Sequence, residues 1–437
     1  MRVYNKCNLI FLIIFYFLII QGKILPSDKI CYLSFDNIVR TPLKIRIIAE
    51  GPNGPIGEIS MSDSVKLVKG IKGFGVYLDD PFQFLSLPDI PLNPEEGSIS
   101  FWFRPFWLPE DKDERQKIIF FVSFEKGLFF LWNLLFCVCD KNNKWSYPPA
   151  KTIPDISNWK MGDWHYIVVN WSKNKGKRQI FIDTIEGEAI DYTSPEGKPK
   201  IFLSMPPTDI SNRLPGCGII DEFTIYNKAL SKEEILENYK EGLKNLENFT
   251  ANPILEISLY PNSAKCDSIT FYPPPNYENK GWTCNGPEDK DDICDNLWGS
   301  AFFGSKNSIG WMNCSIITID FDLGELKHID TIGLNIGGGS AGVRFPNEVS
   351  IYTGTTPENF NKAGTIILNE PYPNPEHPRW YNRLIGLEGL NKFCRFVKLE
   401  IKTSGSLFLD EVFIIEKNAQ PIFVPVDISK IKRVSDN

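Results

Sequence analysis

The chain has 437 residues, of which 42% are hydrophobic, 23% charged and 13% aromatic. This composition excludes a disordered tail, a collagen-like polymer and a coiled coil, and the length favours two domains over one. With 47 Lys and Arg against 54 Asp and Glu, the formal net charge is -7. Because no excess of basic residues is available to neutralise a phosphate backbone, nucleic acid is not expected as a partner.

The first element predicted along the chain is a secretory leader over residues 1–27. Arg2 and Lys6 precede an unbroken apolar run over 9–20, and the polar stretch 21–23 follows it. This order of charged, apolar and polar segments is typical of a signal peptide, and the run is short for a transmembrane helix. An uncleaved N-terminal anchor is the alternative. The mature protein is therefore expected to be secreted or held at the cell surface.

The pattern after the leader is almost entirely that of short β-strands. The clearest segments, rich in β-branched and aromatic residues and separated by turn residues, lie at 98–103, 118–124, 166–171, 179–183 and 219–226. This texture predicts a β-sandwich. One helix is predicted over 231–246, where Ser231 is the N-cap and Glu234 completes a capping box.

A second domain is predicted over residues 263–420, after a linker at 248–262 and before a tail at 421–437. Its strands are predicted at 316–321, 331–336, 348–352, 396–401 and 407–416. The stretch 266–295 is rich in Pro, Gly, Asn, Asp and Cys, which indicates long loops. The predicted fold class is therefore all-β, with two β-sandwich domains.

The ten cysteines agree with export. Cys7 lies in the leader, which leaves an odd number, so at least one thiol is free or forms an intermolecular bridge. Disulfides are the expected state in an oxidising compartment. Cys137 and Cys139 lie two residues apart on a predicted strand, so their side chains share a face and are expected to bridge outward rather than to each other.

Six segments of the first half occur in an order that resembles a known family. They are CYLSFDN at 31–37, GFGVYLDDPFQFLSLPDI at 73–90, SISFWFRPFW at 98–107, GDWHYIVVNWS at 162–172, RQIFIDTIEG at 178–187 and IDEFTIYNKALSKEEI at 220–235. Residues 28–247 thus resemble a laminin G-like, concanavalin A-type jelly roll. The last segment is the most specific, because a strand ending at Asn227 is followed by a capped helix.

The second half is similar to the discoidin, or factor 5/8 C-type, β-sandwich with a galactose-binding-like jelly roll. The matching segments are CDNLWGS at 294–300, GWMNCSIITIDFDLGELKHIDTIGL at 310–334, AGVRFPNEVSIYTG at 341–354, CRFVKLEI at 394–401 and LFLDEVFIIE at 407–416. Together the two resemblances leave no room for a separate catalytic domain.

The two resemblances imply structural Ca²⁺ sites, since calcium prefers carboxylate and carbonyl oxygens and is plentiful outside cells. In the first domain the implied ligands, which would join the first strand to the last, are Asp36 and Asp221. In the second domain they are Asp292 and Asp295 of one loop with Glu411 of the last strand. The alternative is that these carboxylates are solvated acids near turns.

A ligand site is expected in the loops of the second domain, where stacking rings and hydrogen-bond donors occur together. Sugars present apolar C–H faces and hydroxyl rims, so such sites pair an aromatic ring with polar side chains. The candidate ligand-binding residues are Trp311, Arg344, His377, Arg379, Trp380 and Tyr381. The alternative for each ring is packing over the core beneath a long loop.

The leading hypothesis is a secreted or cell-surface, non-catalytic protein that binds glycans or glycoconjugates, or mediates adhesion. A structural subunit of an extracellular protein assembly is the alternative. A glycan-active enzyme is the third class, but the sequence lacks the paired carboxylates, commonly Glu-x-Asp-x-x-Glu, of a jelly-roll glycosidase. The protein is therefore not expected to be an enzyme.

Overall fold

In the computed structural model of the protein, the described residues are 28–61, 65–79, 83–108, 116–204, 213–246, 254–264, 268–277, 293–294, 301, 308–374 and 380–427. The predicted leader and the end of the predicted tail lie outside them. No helix among the described residues has the length and apolar character needed to cross a membrane.

The strands of the first half are short. They are β1 (Lys29–Leu33), β2 (Ile38–Arg40), β3 (Ile45–Gly51), β4 (Gly54–Glu58), β5 (Ser60–Met61), β6 (Lys66–Lys69), β7 (Phe74–Leu78), β8 (Leu85–Ser86), β9 (Glu96–Pro105), β10 (Gln116–Ser123), β11 (Leu128–Trp132), β12 (Leu135–Cys139), β13 (Trp145–Ser146), β14 (His165–Ser172), β15 (Lys177–Ile182), β16 (Ile185–Glu186), β17 (Ile190–Asp191), β18 (Lys200–Leu203), β19 (Arg213–Pro215) and β20 (Gly218–Tyr226). A short 3₁₀ helix at Ala150–Thr152 and the helix α1 (Lys232–Leu243) accompany them.

The strands of the second half are fewer, and two of them are long. They are β21 (Ile254–Leu259), β22 (Ile269–Tyr272), β23 (Ile309–Gly338), β24 (Glu348–Thr356), β25 (Asn359–Ile367), β26 (Tyr381–Leu387), β27 (Lys392–Glu416) and β28 (Ile422–Asp427).

Two sheets of the first half enclose the main core. The first sheet has the order β16-β15-β14-β9-β20-β7-β6-β21-β28, and the facing sheet has the order β13-β12-β11-β10-β18-β8-β5. Alternation along β9 shows how the sequence builds both faces of the first sheet. Ile99, Phe101 and Phe103 enter the core between the sheets, where the Phe101 ring meets Phe120 of β10 edge-on at 6.2 Å. Trp102 points to the opposite face.

Helix α1 covers that opposite face. Its N-terminus is a complete capping box, in which the Ser231 side chain accepts the Glu234 N–H and the Glu234 carboxylate accepts the Ser231 N–H. Tyr239 of the helix stacks on Trp102 with centroids 5.7 Å apart. The helix therefore seals the back of the first sheet, which explains why β9 is buried on both sides.

The third sheet forms the second half, with the order β22-β23-β27-β24-β25 and with β26 paired to β23. Its core is a separate cluster of buried side chains, mostly aliphatic, to which β23, β24 and β27 contribute most. The two halves are linked through the first sheet, because β21 pairs with β6 and the late strand β28 pairs with β21. Residues 254–259 and 422–427, expected in the linker and the tail, are thus strands of that sheet.

The all-β prediction is confirmed, as are the individual strands and the helix of the first half.

The prediction for Cys137 and Cys139 is wrong, because both are free, buried thiols of β12. Burial raises the pKa of the Cys137 thiol to about 12 and also raises that of Cys139. Both thiols are therefore held in the unreactive protonated form. Cys294 is disulfide-bonded.

Candidate functional site

The first notable site is a β-bulge in strand β20, next to the predicted calcium ligand Asp221. The register between β20 and β9 shifts between Asp221 and Thr224, and Glu222 takes a left-handed backbone conformation with φ of 52°. Such bulges re-aim side chains and occur next to functional sites. Here the bulge leaves Asp221 fully buried, while Glu222 accepts a 2.7 Å hydrogen bond from the Tyr32 hydroxyl on β1.

The two predicted ligands of the first domain hold one turn between them. Asp221 accepts the Lys72 N–H at 3.2 Å, and Asp36 accepts the Phe74 N–H at 2.8 Å. The turn tolerates this approach because Gly73, with φ of 59°, has no Cβ to collide with the Asp36 carboxylate. We call Asp36, residues 70–74, Asp221 and Glu222 the acidic turn.

The acidic turn brings three carboxyl groups together, of which Asp221 is buried, Glu222 is partly buried and Asp36 is exposed. Burial raises the pKa of Asp221 well above its ordinary value, and the charges of Glu222 and Asp36 raise it further. Burial likewise raises the pKa of Glu222, against the lowering effect of its Tyr32 hydrogen bond. The Oε1 atom of Glu222 is buried with no hydrogen-bond partner. A cation bound beside these carboxylates would offset their mutual repulsion.

The acidic turn is not a preformed cage of side chains. Among the described residues, no three His, Cys, Asp or Glu side chains are grouped so that they could hold a metal ion. A calcium ion would therefore use Asp36 and Asp221 together with main-chain or water oxygens, which calcium accepts readily.

Of the calcium ligands predicted in the second domain, Asp292 and Asp295 lie outside the described residues. Glu411 is fully buried and accepts a 3.2 Å hydrogen bond from Asn262.

The rings predicted to bind ligand in the second half are packed inside it. Trp380 is 4% exposed, and its indole N–H donates to the Ala301 carbonyl at 2.9 Å. Trp311 is fully buried and donates to the Pro273 carbonyl at 2.9 Å. Because each ring is covered and each N–H is used internally, neither offers a stacking surface. The expectation that these two rings are exposed platforms is corrected here in favour of core packing.

The other predicted ligand-binding residues differ in their exposure, and two of them lie outside the described residues. Tyr381 is buried, and its hydroxyl donates to Glu370 at 3.1 Å and accepts a hydrogen bond from Asn374. Arg344 is exposed, with its guanidinium 4.9 Å from the ring centroid of Tyr372. His377 and Arg379 lie outside the described residues. A ligand-binding role for Arg344, His377 and Arg379 stays a prediction.

Exposed rings occur instead on the outer face of the facing sheet. Trp145 and Tyr147 are 47% and 53% exposed, and their rings are parallel to within 4° with centroids 5.4 Å apart. Trp132 meets Tyr147 edge-on at 6.0 Å, and Phe130 meets Trp145 edge-on at 6.3 Å. We call these four residues the aromatic shelf. It continues into an apolar cluster on the same face that includes Phe121 of β10.

A buried arginine fixes the strand that carries the exposed rings. Arg178 of β15 is 1% exposed, and its guanidinium donates to the carbonyls of Phe136, Asp191 and Ser146 at 2.9, 2.7 and 3.0 Å. It also donates to the Ser146 hydroxyl at 2.9 Å. Since Ser146 lies between Trp145 and Tyr147, these bonds hold the two-residue strand β13 at the sheet edge.

Sequence reasoning missed the shelf, although a signal was present. The tripeptide Trp145-Ser146-Tyr147 follows an Asn-Asn-Lys turn, and strand alternation places its two rings on one face. The pairing of β12 with β13 places Trp145 opposite Cys139, on the face away from the core. Strand β13 was not predicted because it has only two residues, too few to show a strand pattern.

Comparison with known proteins supports the architecture of the first half. Residues 79–236 match the family model of the concanavalin A-like lectin/glucanases superfamily. This segment is a concanavalin A-like jelly-roll domain, as predicted for the region. No curated protein matches the chain.

Solved structures similar to the chain include several binding domains. Domain 4 of an extracellular GH43 arabinanase from Geobacillus stearothermophilus, solved with arabinotriose, is 17% identical, with a TM-score of 0.37 over 48% of this chain and 98% of that domain. The binding domain of botulinum neurotoxin serotype D is 12% identical, with a TM-score of 0.37 over 85% of this chain and 97% of that one. The receptor-binding domain of botulinum neurotoxin type G is 18% identical, with a TM-score of 0.36 over 49% and 51%. These scores are too low to transfer a function.

Proposed function

We propose that the protein is a non-catalytic carbohydrate-binding protein that acts outside the cytoplasm and is braced by calcium. The observation that carries the proposal is the match of residues 79–236 to the concanavalin A-like lectin/glucanases superfamily, within a two-sheet sandwich. A fold alone does not define a function, so the proposal needs a site. The leader predicted over residues 1–27 supports an extracellular or cell-surface location.

Calcium is proposed at the acidic turn. The turn joins three parts of the first half that are distant in sequence: the β1–β2 connection, the β6–β7 turn and the bulge of β20. A cation shared by Asp36 and Asp221 would tie these segments together. It would also offset the burial and the neighbouring carboxylate charges that raise the pKa of Asp221. Its proposed role is structural, because the turn lies at strands of the first sheet and the exposed rings lie on the facing sheet.

The discoidin-like assignment of the second half remains a proposal. Its all-β sheet and separate core are compatible with that jelly roll. In our proposal this half contributes mainly to assembly of the molecule through β21 and β28, with Arg344 and its neighbouring loops as a secondary binding surface.

The proposal is tested on the purified mature protein with a glycan array and with melting curves. We expect binding to at least one class of glycan, and a rise in melting temperature when calcium is added after chelation. Asp221→Asn should abolish that rise, whereas Asp155→Asn, which changes an exposed carboxylate that accepts the Ser157 N–H, should not. Absence of binding to every glycan would refute the carbohydrate proposal. A calcium response that persists in Asp221→Asn would refute the proposed metal site.

A further inference from the structure

We infer that the aromatic shelf is the carbohydrate site and that it receives the apolar face of a hexopyranose ring. The inference rests on the proposed function and gives it a location. Trp145 and Tyr147 are about half exposed although both are large aromatic residues of an ordered sheet. Aromatic rings with this degree of exposure stack against the C–H faces of sugars, and exposed apolar surface of this kind marks interaction sites.

The shelf is rigid before any ligand arrives. The two exposed rings stack on each other, and Phe130 and Trp132 support them edge-on from β11. Arg178 donates hydrogen bonds to the carbonyl and hydroxyl oxygens of Ser146, which lies between the two rings in the chain. Because few rotamers are left to immobilise, binding would cost little conformational entropy.

Exposed polar residues that could bind the sugar hydroxyls directly precede the rings in the chain. The turn between β12 and β13 exposes Asn142, Asn143 and Lys144 directly before Trp145. Amides can both donate to and accept from hydroxyls, and the Lys144 ammonium can donate. An apolar platform with a rim of convergent polar side chains is the usual composition of a small-ligand site.

The dimensions favour a sugar over a protein as the occupant. A stable protein interface buries about 800 Å² on each partner, which two half-exposed rings do not supply. Strand addition to the sheet edge is also disfavoured, because β13 is only two residues long and offers few backbone groups to a new strand. A pyranose ring needs only one or two aromatic faces and a few hydrogen bonds.

The test uses native gels, each cast with one soluble polysaccharide that contains hexopyranose units: galactan, xyloglucan, laminarin or hyaluronan. The wild-type protein should be retarded in at least one gel, and Trp145→Ala should lower the affinity about tenfold, as for the loss of a central aromatic contact. Tyr147→Ala should show a smaller loss in the same direction. Tyr272→Ala is the matched control, because that ring is 77% exposed but lies on β22 of the third sheet.

The outcomes separate the two proposals. Retardation of Trp145→Ala equal to that of the wild type would overturn the shelf as the site and leave carbohydrate binding intact. No retardation of the wild type in any gel, together with an empty glycan array, would refute both. A wild-type dimer that becomes monomeric in Trp145→Ala would assign the shelf to self-association and overturn the inference. Melting curves confirm that each variant is folded.

Discussion

Replacement of Arg178 by methionine tests how the aromatic shelf is held in place. Arg178 is 1% exposed, and burial lowers the pKa of its guanidinium while Cys137 and Tyr192 act in the opposite direction. Methionine keeps much of the side-chain volume but removes every donor. The carbonyls of Phe136, Asp191 and Ser146 then lose their shared partner.

The expected loss of stability follows from these three carbonyls. A buried acceptor left without a donor costs about 1–3 kcal/mol, and removal of a desolvated charge offsets part of the total. We therefore expect a loss of about 3 kcal/mol. For a domain of this size, this corresponds to a fall of about 6–12 °C in melting temperature. Glycan binding should weaken even well below that temperature, because strand β13 loses its anchor.

The assay is differential scanning calorimetry, with Arg46→Met as the matched control. Arg46 pairs with Glu58 at 2.6 Å, but the two side chains are 44% and 38% exposed, so its loss should cost less than about 1 kcal/mol. Equal melting temperatures for the two variants would refute the reasoning. So would an Arg178→Met variant that melts normally and binds glycan normally.

Three further outcomes follow from the described contacts. Gly73→Ala should lower the free energy of unfolding by about 1 kcal/mol or more and abolish the calcium-induced rise in melting temperature. The reason is that the added Cβ would collide with the Asp36 carboxylate at a residue with positive φ. An unchanged calcium response would contradict this. Tyr32→Phe should lower the free energy of unfolding in urea by about 1–2 kcal/mol, since it removes the donor to the partly buried Glu222 carboxylate. An unchanged free energy of unfolding would contradict a stabilising role for that contact. Trp380→Phe should lower the free energy of unfolding by about 1–3 kcal/mol, because it loses packing and the hydrogen bond to Ala301, and should leave glycan affinity unchanged. Weaker glycan binding without a loss of stability would instead place the carbohydrate site in the second half.

The sequence was sufficient for the fold class and for most elements of the first half. The alternation in 98–103 and the capping box at Ser231 are local signals, and both match β9 and α1. The role of β21 and β28 was not predictable from such signals. The pairing of β21 with β6, and of β28 with β21, depends on contacts between residues more than 150 positions apart, which no short pattern records.

The candidate site was predicted in part. The resemblance pointed to Asp36 and Asp221, and the structure brings both to the turn at 70–74. It did not point to Glu222, because a bulge at that position is not visible in the pattern of β20. For the rings, composition favoured Trp380 over Trp145, since a Pro-rich loop suggests exposure. The burial of Trp380 depends on Ala301 and Phe408, which lie far from it in sequence.

The most direct test of the aromatic shelf is a titration followed through the tryptophan indole N–H resonances, with an oligosaccharide of the polysaccharide that retards the wild type. The signals of Trp145, Trp311 and Trp380 are assigned by substituting each residue with phenylalanine. We expect the Trp145 resonance to shift with the occupancy of the site while those of Trp311 and Trp380 stay in place. An unshifted Trp145 signal beside a shifted Trp380 signal would contradict the shelf as the site of carbohydrate binding.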